Sequence, residues 1–195
     1  MKKYKATDLL DQLQSDVRQL LVTANYLRSE DPHYLLEQPA PGKWTVIQVL
    51  EHLNSYNRYY LPAIKNSLMQ DRSAVEHFKP GWLGDYFTKL MQPKEGVVKN
   101  KMKAPRDHRP APFLDPMPVL NTFIEDQHQL LRLLEAAKQK DIGKLRTPVS
   151  ISKLIRLKTG DTFRFLIAHE QRHFVQIANT LETVRKGTSF FPLAV

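Results

Sequence analysis

Four long segments of this sequence repeat apolar residues at intervals of three and four, the spacing that places them on one face of an α-helix. They predict helices over about residues 7–28, from Thr45 to about residue 70, from Asp115 onward, and from "LKTGD" to Gly187. Each helix buries its apolar stripe most simply against the other helices. The pattern therefore predicts an all-α protein with the architecture of a four-helix bundle.

Local signals support the helix boundaries. Thr45 is followed by Gln48 three residues later, which is the spacing of a capping box at the start of the second helix. Asp115 and Pro116 are suited to the N-cap and first turn of the third helix. Pro62 falls inside the second helix, so we expect a kink there unless the helix is interrupted.

A long connection, from about residue 71 to about residue 114, separates the second and third predicted helices. The segment "FKPGWLGDYFTKLM" has four large apolar residues spaced to form one short helix that lids the bundle: Phe78, Trp82, Phe87 and Leu90. We expect the rest of the connection to be extended surface chain. Strand signals are scarce, and residues 1–195 are expected to form a single domain.

The amino-acid composition limits which side chains could form a metal site. The chain has no cysteine, so it has no disulfide and no thiolate ligand, and any metal site must use histidine and oxygen. The sequence lacks an apolar run of about 18 residues, and its start, "MKKYKATDLLDQLQSD", lacks the apolar stretch of a secretory signal. We therefore expect a cytoplasmic protein that does not insert into membranes.

The net charge of +9 raises the alternative of a polyanionic partner. Residues 94–109 carry six basic side chains against two acidic ones, a net +4 in one loop. Such a loop can contact phosphates, and nucleic-acid binding through it is one alternative function. The loop contains no aromatic side chain for stacking on bases, however, and no helix-turn-helix or finger pattern accompanies it, so a solvated basic loop is favoured.

The fourth helix contains "HEQRH", in which His169, Glu170 and His173 match the H-E-x-x-H pattern of zinc proteases. Those enzymes take a third ligand from further along the chain. Asn179 stands where a third histidine would be, and Glu182, on the same helix, is too far along the axis to reach back. The protease interpretation is therefore disfavoured.

The two histidines nevertheless share the inward face of their helix, four residues apart. Buried imidazoles need partners, which a metal ion, a carbonyl group or a carboxylate can supply. A third metal ligand would have to come from upstream, where His52 points inward on the second helix and His128 on the third helix is the rival candidate. The remaining histidines lie in predicted loops and are expected to be exposed: His33, His77 and His108.

The segments "PGKWTVIQVLEHL" and "GDTFRFLIAHEQRHFVQIANTLE" resemble the DinB-like family of four-helix metalloproteins, which includes the YfiT-like thiol transferases. In that family a Trp-Ser/Thr start to the second helix leads to "xHL", and the last helix carries "HxxxHxxQI". The resemblance covers essentially the whole chain and implies that His52, His169 and His173 bind one divalent metal. Further positions match the surrounding pattern: Trp44, Thr45, Leu53, Gln176 and Ile177.

The resemblance implies a metal-dependent enzyme acting on a small-molecule substrate, with Zn, Ni, Fe or Mn as the metal. Three nitrogen ligands would leave positions open for substrate. Either water or a low-molecular-weight thiol, such as bacillithiol, mycothiol or glutathione, would be activated for hydrolysis or S-transfer. Glu170 is expected to be solvated or ion-paired beside Arg172, with a contact to His52 or to the metal-bound water as the alternative.

The other alternative is a non-enzymatic stress or interaction protein built on a dimeric bundle. The C-terminal "TSFFPLAV" is apolar for an exposed tail, so it is expected either to dock on its own bundle or to cover a partner subunit. Family resemblance favours a homodimer.

Overall fold

The structure, a computed structural model, describes residues 2–93 and 102–188. Six α-helices account for most of these residues. They are α1 (Ala6–Leu27), α2 (Pro32–Leu36), α3 (Val46–Leu68), α4 (Trp82–Met91), α5 (Pro116–Ala137) and α6 (Thr159–Thr188). The four long helices are α1, α3, α5 and α6, and both α5 and α6 pack against α1 and α3. The predicted all-α four-helix bundle is confirmed.

The bundle is closed by the apolar stripes that the sequence predicts. Leu53, Ile64, Leu120, Phe123 and Leu166 are all fully buried between the long helices. Removing such side chains from water is the main stabilising contribution to the fold.

The start of α3 has the predicted capping box. The Oγ1 of Thr45 accepts the backbone N–H of Gln48 at 3.1 Å, and the Gln48 side chain accepts the N–H of Thr45 at 3.1 Å. The helix then runs through Pro62 without interruption. This fixed start sets the position of every later residue of α3 around the helix axis.

The long connection contains the predicted short helix, α4, and Phe87 on it packs against the core, but two of the four apolar residues differ from the prediction. Phe78 belongs to a strand, β2 (His77–Phe78), which pairs antiparallel with β1 (Tyr4–Lys5), and Trp82 is 74% exposed. Polar contacts also anchor this region on α6, because the backbone N–H of Gly81 donates to Asp161 at 2.7 Å and Arg164 donates to Asp85 at 2.9 Å.

Only part of the predicted basic loop falls within the described residues, because residues 94–101 lie outside them, as do the last residues of the apolar C-terminal segment. The described part of the loop differs from the expected extended surface chain. A 3₁₀ turn spans Arg106–His108, and the His108 side chain is buried.

An antiparallel hairpin that the sequence did not predict joins α5 to α6. Its strands are β3 (Arg146–Val149) and β4 (Ser152–Lys158), with an irregular register between Pro148 and Val149. Thr147 and Leu157 face the bundle and are buried, whereas Leu154 is 95% exposed. Within the described residues, no helix has the length and apolar character needed to cross a membrane.

Candidate metal centre

Three histidines converge between α3 and α6. His169 and His173 lie one turn apart on α6, and their Nε2 atoms are 3.1 Å from each other. The His52 ring, from α3, lies 5.3 Å from the His169 ring and 4.7 Å from the His173 ring, centre to centre. One nitrogen from each ring lies within 4.8 Å of the other two. The structure therefore brings together the three side chains that the family resemblance selects.

Hydrogen bonds outside the centre orient two of these rings. The Nδ1 of His52 lies 2.6 Å from the backbone carbonyl oxygen of His108, which can only accept, so Nδ1 carries the proton. The Nδ1 of His173 lies 2.9 Å from Oε1 of Gln176, which can accept a proton from it. Both rings consequently present the lone pair of Nε2 toward the centre, as metal-binding histidines do.

The spacing of the nitrogens fits a single metal ion. With metal–nitrogen bonds of about 2.0–2.1 Å, two nitrogens on one metal lie about 2.9 Å apart at a right angle and about 3.3 Å apart at a tetrahedral angle. The observed 3.1 Å between His169 and His173 falls between these values. The same distance suits a hydrogen bond between the rings, so the whole donor set, and not this distance alone, characterises the site.

Burial keeps all three imidazoles neutral. Loss of solvation lowers the pKa of His173 to about 3 and holds the pKa of His169 well below its ordinary value. Burial also lowers the pKa of His52, although its bond to the His108 carbonyl opposes the shift. A neutral imidazole offers a lone pair to a cation, and three of them favour Zn, Ni, Fe or similar metals over Mg or Ca.

Aromatic side chains surround the three histidines. The Trp44 ring lies 5.1 Å from the His52 ring, Tyr56 lies 4.4 Å from His169, and Phe165 stacks on His169 at 6.0 Å. Burial raises the pKa of Tyr56 to about 12, so its hydroxyl stays protonated. These walls surround the ligands with apolar surface, which strengthens electrostatic interactions within the site.

The expectation that His108 is exposed was wrong. Its ring is buried and stacks on Tyr56 at 3.9 Å, and its Nδ1 lies 3.0 Å from the hydroxyl of Ser55. These contacts hold His108 against α3, so that its backbone carbonyl meets the His52 ring. No sequence motif marks this contribution, because the contact to the candidate ligand comes from a backbone atom.

The expectation that Glu170 is solvated was also wrong, since its side chain is 0% exposed. Its Oε1 accepts the side-chain N–H of Gln127, on α5, at 2.8 Å. His128, the rival third ligand, is exposed and does not reach the centre. His33 and His77 are exposed, as predicted.

Comparison with known proteins gives the family. Among solved structures, the fold is similar to that of YfiT from Bacillus subtilis, described as a probable metal-dependent hydrolase with an unusual four-helix bundle topology. The two share 17% identity over 93% of this chain and 86% of that chain, with a TM-score of 0.51, a likeness that supports the fold alone. Among curated proteins, no significant match is found. Residues 9–177 match the sequence model of the DinB superfamily, and the chain therefore belongs to that superfamily.

Proposed function

We propose that this protein is a metal-dependent enzyme in which His52, His169 and His173 hold one divalent transition metal. The observation that carries the proposal is the convergence of three neutral imidazoles, two of them oriented by hydrogen bonds on their far nitrogens. A bound metal of this kind supplies a Lewis acid that lowers the pKa of a coordinated water or thiol toward neutrality.

The protein's own residues hold the ligands and set the charge of the site. The His108 carbonyl and the Gln176 side chain fix two rings, so the donors need little reorganisation when a metal binds. All three donors are neutral, so they leave the full charge of a divalent ion uncompensated. Arg172, which is buried beside His173, adds positive charge and contributes to the lowered pKa of that ring. The site therefore suits an anionic small molecule.

Two reaction types fit this electropositive centre. In hydrolysis, water is the nucleophile, and the positive charge stabilises the negative charge that develops on the substrate. In S-transfer, the metal would favour the thiolate of a low-molecular-weight thiol, whose sulfur would bond to an electrophilic carbon of the substrate while the bond from that carbon to its leaving group breaks. The second type would suit a chain without cysteine, because the sulfur comes from the co-substrate.

Metal analysis tests the site. The untagged protein should contain one equivalent of a transition metal, and His52→Ala and His169→Ala should each lose it. His128→Ala is the matched control, because that histidine is exposed and should leave the metal content unchanged. Protein without stoichiometric metal, or with metal that survives both substitutions, would refute the proposed site.

An activity screen then tests the reaction. Ester and amide substrates report hydrolysis, whereas bacillithiol, mycothiol or glutathione with an electrophilic acceptor reports S-transfer. Either activity should disappear in His52→Ala and persist in His128→Ala. A metal-loaded protein inactive in both screens would favour the alternative of a non-enzymatic interaction protein.

The family resemblance also supports a homodimer. Light scattering coupled to size exclusion should give twice the chain mass of 22.7 kDa. A monomer across the accessible concentration range would contradict this part of the proposal.

A further inference from the structure

Part of the connection between α4 and α5 lies along one face of α3. Residues 105–112, here called the strap, contact four α3 residues whose spacing places them on that face. The backbone carbonyl of His108 accepts the Nδ1–H of His52 at 2.6 Å. The His108 ring has its Nδ1 3.0 Å from the Ser55 hydroxyl and stacks on the Tyr56 ring at 3.9 Å. One residue of the strap therefore contacts a candidate metal ligand through its backbone and α3 through its side chain.

A second anchor holds the far end of the strap. The side-chain amide of Gln48 donates to the carbonyl oxygens of Ala111 and Pro112, at 3.3 Å each. Gln48 also closes the capping box of α3, so the residue that fixes the start of this helix also fixes the end of the strap. The strap is thus tied to α3 on either side of His52 along the helix.

These anchors are few. Among residues 102–113, all of which the structure describes, only His108 is buried, and its neighbours Asp107 and Arg109 are exposed. Segments that bury little apolar surface open locally at a smaller cost in free energy than the core of a protein does. We therefore expect the strap to exchange between a docked and an open state. In the open state His52 loses the carbonyl partner of its Nδ1.

The His52 ring connects the strap to the histidine centre. A cation at Nε2 withdraws electron density from the ring, so Nδ1–H becomes a stronger donor and its bond to the His108 carbonyl gains the strength of a charge-assisted hydrogen bond. In the other direction, a carbonyl that accepts from Nδ1 makes Nε2 a better ligand. Each event therefore favours the other, and linkage requires the two effects to have the same size.

We propose that the strap regulates the metal centre: a transition metal bound to His52, His169 and His173 stabilises the docked strap, and the docked strap holds the metal more tightly. This inference rests on the metal site proposed above. Loss of an outer partner of this kind weakens metal binding about 10- to 100-fold. A bound metal should then reduce the open fraction of the strap by the same factor. Opening of the strap weakens metal binding without displacing any ligand side chain.

Hydrogen exchange read by mass spectrometry tests the coupling. The backbone N–H groups of His108 and Arg109 donate to carbonyls within the strap, at 3.1 and 3.2 Å, so their exchange reports its opening. Zn²⁺ added to the metal-stripped full chain should slow exchange in the strap about 10- to 100-fold. His169→Ala is the matched control, because it removes a ligand but keeps the bond between His52 and His108. Its strap should exchange at the same rate with and without Zn²⁺.

Substitutions in the strap test the reverse effect. His108→Ala removes the ring contacts to Ser55 and Tyr56 but no metal ligand, and it should weaken Zn²⁺ binding by about tenfold in competition with a chelating dye. His108→Phe keeps a ring that can stack on Tyr56, so its loss of affinity should be smaller. Lys103→Gln, at an exposed position of the same connection, should bind Zn²⁺ as the wild type does.

Two results would overturn the inference alone. One is Zn²⁺ that binds with one equivalent and is lost in His169→Ala, while exchange in the strap is unchanged by the metal. The other is equal Zn²⁺ affinity in His108→Ala and the wild type, which would show that metal binding does not depend on the docked strap. No Zn²⁺ binding to the wild-type protein would refute the metal site itself, and this inference with it.

Discussion

Replacing Glu170 with glutamine removes a fully buried ionisable group while it keeps the shape of the side chain and an oxygen for the hydrogen bond from Gln127. Loss of solvation raises the pKa of Glu170 from 4.5 to about 8. The folded protein therefore holds this proton over a pH range in which the unfolded chain has released it. We expect the substitution to change how the stability of the protein depends on pH.

The sign and size of the effect follow from proton linkage. Because the folded pKa of Glu170 lies above the unfolded one, its contribution to stability is complete below about pH 4.5 and is lost as the pH rises through about 8. Between pH 6 and pH 9, about two pH units lie below the folded pKa of Glu170, and each changes the unfolding free energy by about 1.4 kcal/mol. The wild-type protein should therefore lose about 3 kcal/mol of unfolding free energy that Glu170→Gln does not lose.

Urea unfolding followed by circular dichroism at pH 6 and pH 9 measures this difference. Both proteins are kept in a chelator, so that no bound metal contributes to the difference. The stability of Glu170→Gln relative to wild type should increase by about 3 kcal/mol between the two pH values. Glu125→Gln, at an exposed position, should show no such change. An equal difference at both pH values would refute the reasoning.

Three further substitutions test other parts of the structure. Gly84→Ala would place a methyl group 2.3 Å from a side-chain carbon of α6 and should cost about 1–3 kcal/mol in urea unfolding, whereas Gly187→Ala, with nothing within 4 Å, should cost nothing; equal effects would contradict the packing. Gln176→Ala removes the partner of His173 and should weaken metal binding about 10- to 100-fold in competition with a chelating dye, and unchanged affinity would show that the ring needs no such support. Thr45→Ala should lower the unfolding free energy by about 1 kcal/mol through loss of the helix cap, and no loss would show that the cap is not stabilising.

The long helices could be predicted because their signals are local. The capping box at Thr45 and the apolar stripe that follows it depend only on residues a few positions apart. The β3–β4 hairpin could not be predicted in this way. Its turn is held by α3, since the Tyr59 hydroxyl donates to the carbonyl of Val149 and the Tyr60 hydroxyl accepts the N–H of Ser150. Partners about 90 positions away leave no signal in the hairpin's own sequence.

The short helix α4 shows a different limit. Its position followed from the spacing of aromatic residues, yet Trp82 points to solvent. The close approach of Gly84 to Asp161 and the ion pair between Asp85 and Arg164 fix its orientation instead. A polar anchor between two helices has no periodic pattern, so hydrophobic periodicity selected the helix and the inward side chain of Phe87 correctly but placed Trp82 incorrectly.

The residues of the candidate site also differ in whether they could be predicted from local signals. His169 and His173 could be selected because side-chain type, spacing and inward direction are all readable from sequence, and the family resemblance selected His52 over His128. The environment of Glu170 could not be predicted in this way. Hydrophobic periodicity indicates the face of a helix that meets one partner and does not indicate a face that meets a second partner. In the structure α6 packs against α1 and α3 and also against α4, and residues 159–170 are buried on every side.

The burial of the first half of α6 explains why its polar residues matter. A polar side chain on a helix surrounded by protein must find a partner in the interior, because water cannot supply one. Along this stretch Asp161 and Arg164 pair with each other and with the α4 region, while Glu170 bonds to α5. His169 has an Nδ1 atom without a hydrogen-bond partner in the described chain, and its Nε2 faces His173. Among residues 159–170, His169 and Glu170 are thus the polar residues whose hydrogen bonding within the described chain is incomplete, and His169 lies in the cluster for which we propose a bound metal.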